Sequence, residues 1–104
     1  MKARPWTFIT DHGRILVYLA KNRQATAREI AAAASLSERA VQKVIHDLIE
    51  EGYVEPERQG RGNAYHLHPE LPMRHSLERA HVVGELLDAM GCQLNGGTGK
   101  TPTG

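Results

Sequence analysis

The segment from Thr26 to Leu48, TAREIAAAASLSERAVQKVIHDL, constrains the fold more than any other part of the chain, because it holds two helix starts separated by one tight turn. Thr26 followed three residues later by Glu29 is a capping box, so a short helix is predicted from Ala27. That helix runs through EIAAAA and breaks at Ser35-Leu36-Ser37. Ser37 then offers its hydroxyl to an otherwise unpaired backbone N–H at the start of a second helix. The second helix carries Val41, Val44, Ile45 and Leu48 at i, i+3, i+4, i+7 spacing. At about 100° per residue, Arg39, Gln42, Lys43 and His46 project from the opposite side. A polar face opposite an apolar stripe is the rule for any surface helix, so this alternation alone decides nothing. The spacing across both helices does: Ala31 is small where they should cross, Leu36 fills the turn, and Val41 and Val44 follow at offsets that close a shared core.

What comes next narrows the reading. Gly52 stops the second helix as its C′ residue. Tyr53 to Arg58 and Asn63 to His68 then flank a Gly-rich connection, Gln59-Gly60-Arg61-Gly62. Tyr65 and Leu67 alternate with Ala64, His66 and His68, a half-buried strand pattern, so a β-hairpin is predicted with Arg58 and Arg61 at its tip. Each arginine alone reads as a solubilising turn residue. A helix, a Gly stop and a basic hairpin in that order do not.

In this order of elements, over roughly residues 10 to 68, the chain resembles the winged helix-turn-helix regulators of the MarR and ArsR type. It departs from their pattern at the turn, where Ser35 stands in a position commonly held by Gly; in a left-handed backbone this costs about 1 kcal/mol. The resemblance implies a mainly α fold with a small β-hairpin, a three-helix core plus wing, and a prokaryotic, homodimeric regulator that binds double-stranded DNA. The second helix would enter the major groove. Arg39 and Gln42 are the candidates for base edges, and Lys43 and His46 for phosphates or flanking bases. Thr26 and Ser37 sit at helix N-termini, where backbone N–H groups favour phosphate. Arg58 and Arg61 would hold the wing on the backbone or in the minor groove.

A net charge of +1 looks weak for a DNA-binding chain, but the total hides segregation. Residues 1–46 carry 8 basic and 3 acidic side chains, a net of +5, whereas residues 47–57 carry 5 acidic and none basic. The start of the second helix is therefore basic and its far end acidic, which suits a local DNA contact and not diffuse polyanion coating. A single cysteine, Cys92, excludes an intramolecular disulfide framework. Nothing resembles a signal peptide and no apolar run approaches the ~20 residues needed to span a bilayer, so a cytoplasmic protein is expected.

Before the motif, Thr10 or Asp11 caps a predicted helix bearing Ile15, Leu16, Tyr18 and Leu19 and ending near Asn22. Residues 1–9 form an arm in which Trp6 and Phe8 are expected to tuck against the core or a partner subunit, with Lys2 and Arg4 as the alternative DNA contacts. Residues 69–91 read as a Pro-interrupted linker followed by a helix from Leu77 to Met90, capped by Ser76. Its stripe of Ala80, Val83, Leu87 and Met90 completes the monomer core, pairs with a second copy, or both; the family resemblance favours the dimer interface. Residues 92–104 are expected to be a disordered tail, since Asn95 to Gly104 lacks apolar anchors.

Two motifs mislead. Gly99-Lys100-Thr101 suggests a phosphate-binding loop, but the Gly required five residues earlier is Leu94. His66 and His68, with His75 and His81 further on, suggest a metal-sensing repressor; a closed site wants about four ligands, so surface histidines are the preferred account. No Ser/His/Asp or Cys/His set has catalytic spacing, so neither enzymatic activity nor a cofactor is expected. The competing function is a winged-helix protein-docking module, favoured by a mixed or apolar surface where DNA binding wants a basic one.

Overall fold

In the computed structural model, which describes residues 7–58 and 63–92, the chain forms α1 (Asp11–Lys21), α2 (Ala27–Ala34), α3 (Glu38–Glu50), β1 (Val54–Arg58), β2 (Asn63–Leu67) and α4 (Val83–Ala89). Each of the first three helices starts where a hydroxyl caps it. Thr10 accepts from Gly13 N, Thr26 from Glu29 N and Ser37 from Ala40 N. The capping box is complete, with Glu29 Oε1 accepting from Thr26 N at 3.0 Å. Such caps are worth about 1 kcal/mol each.

α2 ends on Ser35, whose φ of 59° makes it the one non-glycine residue with positive φ among those described. Its N–H still bonds Ala31 O, so the turn into α3 keeps its geometry despite the side chain. Gly52, at φ 84°, turns the chain out of α3 into the hairpin.

The three helices pack around Ile15, Leu16, Leu19, Ile30, Ala31, Val41, Val44, Ile45 and Leu48, all buried. This is the stripe predicted for α3, joined by the α1 stripe and by Ile30 and Ala31 of α2. β1 and β2 pair antiparallel, with Val54 opposite Leu67 and Pro56 opposite Tyr65. On its other edge β2 meets the α1–α2 loop. Tyr65 N donates to Arg23 O at 3.2 Å, and Arg23 Nε donates to Tyr65 O at 3.3 Å. Tyr65 therefore points its backbone groups away from Pro56, and the missing proline N–H costs no ladder bond.

The C-terminal segment departs from expectation. The helix begins at Val83, not Leu77; Ser76 to Ala80 are turns, and Ser76 caps nothing. The physical reason lies in competing backbone bonds. Pro72 bridges Val82, Met73 N donates to His81 O, Val83 N to Leu71 O and Gly84 N to Pro69 O. A helix running through residues 77–84 would have needed those groups for itself. Gly84 suits this docking, since a Cβ there would sit 3.0 Å from the Pro69 carbonyl oxygen. Ala80 is therefore not on the helix at all, while Val83 and Leu87 are buried in the monomer's own core at 6% and 0% exposure. Val83 and Leu87 thus take the monomer-core use that was one of the two expected of this stripe.

Cys92, placed by its sequence context at the start of a tail, is buried against the core, with Sγ 3.8 Å from Val17 O. Burial pushes its thiol above the ordinary value. Phe8 is 89% exposed, so of its two expected positions, the core or a partner subunit, it does not take the first. The remaining residues assigned to the tail, 93–104, and the arm residues Lys2, Arg4 and Trp6 lie outside the described residues. Among the described residues no helix is long and apolar enough to cross a membrane.

Candidate nucleic-acid interface

α3 presents Arg39, Gln42, Lys43 and His46 on its exposed side, opposite the buried Val41, Val44, Ile45 and Leu48. The four are not equivalent. Arg39 and Gln42, in the first two turns, are exposed and have no side-chain hydrogen bond or ion pair among the described residues. Lys43 Nζ lies 3.2 Å from both carboxylate oxygens of Asp47, one turn on. His46 Nε2 lies 3.6 Å from Glu50 by the same spacing. The acidic half of the helix therefore reaches back to the two candidate phosphate contacts.

Asp47 has a second partner. His12 Nε2, from the first turn of α1, lies 2.8 Å from Asp47 Oδ2. The His12 hydrogen bond, then the one from Lys43, holds the Asp47 carboxyl below the usual carboxylate range. The Lys43–Asp47 and His46–Glu50 pairs are readable from i, i+4 spacing. The His12 contact, spanning 35 residues, is not.

The helix N-termini are partly committed. The Thr26 and Ser37 hydroxyls each accept a cap bond from their own helix, and the Glu29 carboxylate occupies the Thr26 N–H. Glu38, in the first turn of α3, is met by Arg28 of α2 at 3.5 Å. Arg28, 83% exposed at its side chain, is a cation beside the start of α3 that helical spacing on α3 cannot reveal, because it belongs to α2 and is brought close by the turn. Arg58 ends β1 opposite Asn63, while Arg61 lies outside the described residues. The surface around α3 is thus mixed in charge, with two unengaged donors near its start.

The histidines outside α3 are engaged with carboxylates or backbone. His66 faces Glu57 at 3.8 Å, His81 Nδ1 lies 2.6 Å from Glu85, and Leu77 N donates to His75 Nδ1. His68 is held between Glu55 and Glu70, each at 3.1 Å. Among the described residues no group of three or more His, Cys, Asp or Glu side chains is arranged to hold a metal ion.

Three packed helices, a capped turn between α2 and α3, and a two-stranded hairpin directly after α3 define a winged helix-turn-helix domain. The MarR family model matches residues 7–62, more than half of the chain, and the protein belongs to the MarR family. Among solved structures, the chain is similar to the zinc-dependent MarR family transcriptional regulator AdcR in its Zn(II)-bound state, at 24% identity and a TM-score of 0.47. That likeness covers 65% of this chain and 49% of the other, so the chain spans about half the length of that regulator. No curated protein matches the chain.

Proposed function

We propose that the protein is a DNA-binding transcriptional regulator whose α3 reads the major groove. The observation that carries this is the pair Arg39 and Gln42, exposed and unengaged near the start of α3, on the face opposite its buried stripe. Arg pairs bidentately with guanine and Gln with adenine, which suits these two for base edges. Lys43 and His46 contact phosphates or flanking bases, exchanging Asp47 and Glu50 for the DNA backbone. Thr26 and Ser37 contribute through the backbone N–H groups beside them. Arg58 and Arg61 hold the wing to the duplex.

One α3 reads only a few base pairs, so two copies of the chain act together, setting their recognition helices about one turn of DNA apart, roughly 34 Å. Val83 and Leu87 serve the monomer core, so the pairing uses other surface. Leu77 and Met90, both exposed in the C-terminal segment, are apolar side chains left for it.

The mixed charge around α3 favours a second reading, a protein-docking module that keeps the fold without DNA. Affinity for random duplex against salt separates the two. Counterion release predicts a linear fall of log affinity with log salt, and Arg61→Ala lowers the slope by about one. Absence of duplex binding at low salt favours docking.

A further inference from the structure

Lys43 and His12 meet at one carboxylate. Asp47 Oδ2 is shared between Lys43 Nζ at 3.2 Å and His12 Nε2 at 2.8 Å, while Oδ1 also faces Lys43 at 3.2 Å. The three side chains come from two helices and all reach solvent, with 71% of the Lys43 side chain, 48% of His12 and 34% of Asp47 exposed. A proton or a phosphate can therefore arrive without any rearrangement of the fold.

We propose that Asp47 is a positioning residue that withholds Lys43 from DNA phosphate, and that His12 competes for the same carboxylate, so that proton uptake at His12 releases Lys43 and tightens DNA binding. This rests on the DNA-binding reading of α3. The physical argument is a competition for one negative charge. With a neutral imidazole, Lys43 is the sole cation on Asp47, and its ammonium is folded back along the helix. A protonated imidazole makes a charge-assisted hydrogen bond roughly twice as strong as a neutral one and neutralises the carboxylate. Lys43 then has less to hold it. Exposed ion pairs are weak enough that phosphate displaces the carboxylate once this balance shifts. Histidine is the side chain that changes charge between about pH 5 and 8.

Of the neighbouring charges, all but Glu78 are paired with one another. At the end of α3, Glu50 is paired with His46 at 3.6 Å, and the C-cap Glu51 with Arg74 at 3.5 Å. On α1, Asp11 is paired with Arg14 at 3.2 Å. Arg74 and Glu78 of the C-terminal segment line the same groove as His12 and Asp47, with Arg74 occupied by Glu51. The depressed titration of the Asp47 carboxyl, caused first by His12 and then by Lys43, agrees with a carboxylate that keeps its charge throughout.

The test is duplex affinity at about pH 6 and about pH 8 for the wild type, His12→Gln, His46→Gln, Asp47→Asn, Lys43→Gln and the Asp47→Asn/Lys43→Gln double variant. One phosphate contact corresponds to a salt slope near one, or about 3-fold in affinity between about 50 and 200 mM salt. At the lower pH the wild type is expected to bind tighter and with a salt slope steeper by about one for each Lys43 released. His12→Gln loses that gain, and Asp47→Asn shows it at both pH values. In the Lys43→Gln background, Asp47→Asn has no further effect. An equal gain from Asp47→Asn with and without Lys43 overturns the proposal, because Asp47 would then act by repelling DNA directly. A pH dependence kept by His12→Gln and lost in His46→Gln also overturns it. Wild-type protein that binds no duplex at either pH removes the DNA-binding reading and this coupling together, whereas binding with unaltered pH dependence in His12→Gln removes the coupling alone.

Discussion

Tyr53 Oη donates a 2.6 Å hydrogen bond to the carbonyl oxygen of Pro72, tying the turn between α3 and β1 to the segment that leads toward α4. The ring is buried, and burial pushes the phenol above its ordinary titration range. Since the folded state resists ionisation, stability should fall as pH rises past about 10. Tyr53→Phe is predicted to cost about 1 kcal/mol at neutral pH and to make that alkaline loss shallower. Urea denaturation across pH measures both. An unchanged midpoint at neutral pH would show that the bond contributes nothing.

Leu87 is fully buried among the residues of the helical core. Leu87→Ala should therefore destabilise the monomer by about 2–5 kcal/mol, and Leu87→Glu should unfold it. Met90, 40% exposed, should tolerate alanine far better. Denaturation melts followed by far-ultraviolet circular dichroism provide the comparison. A Leu87→Glu chain that keeps its helix content and merely changes mass in solution would return this helix to an interface role.

How much of this was legible beforehand depends on the range of each interaction. The caps at Thr26 and Ser37, the α3 stripe and the two strands of the hairpin depend on residues close in sequence, and local patterns recover them. The C-terminal helix fails for the opposite reason. Residues 77–82 carry acceptable helical spacing, but their backbone partners, Pro69 to Met73, are chosen by tertiary packing. At the candidate site, spacing finds Arg39, Gln42, Lys43 and His46. It cannot find that Arg28 is delivered to Glu38 by the turn, or that α1 places His12 on Asp47.

Ser35 holds a left-handed conformation, φ 59° and ψ 45°, at the end of α2. Its side chain is exposed, so removing it sacrifices little packing. Ser35→Gly is predicted to stabilise the domain by about 1 kcal/mol, or about 4–8 °C in Tm for a domain of this size. Thermal unfolding checks it, and a lowered Tm would mean that the gain in unfolded-chain entropy outweighs the strain relieved.

His68 closes the hairpin base, bonded to Glu55 and Glu70, and these two hydrogen bonds raise its titration above the ordinary histidine value. A raised folded value means that its contribution is complete below about pH 6.5 and is lost as pH rises through the folded value. Wild-type stability should decline across that window, and His68→Gln should remove this part of the decline. Stability measured at several pH values between these limits decides it; identical profiles for the two proteins would contradict it.

The central claim is that α3 reads bases through Arg39 and Gln42, and the affinity of Gln42→Ala on a duplex selected from a random pool, against a scrambled duplex, tests it most directly. The variant should lose about 1–3 kcal/mol on the selected duplex, relax preference at one position, and change little on the scrambled one. An equal loss on both duplexes would contradict sequence reading by this face.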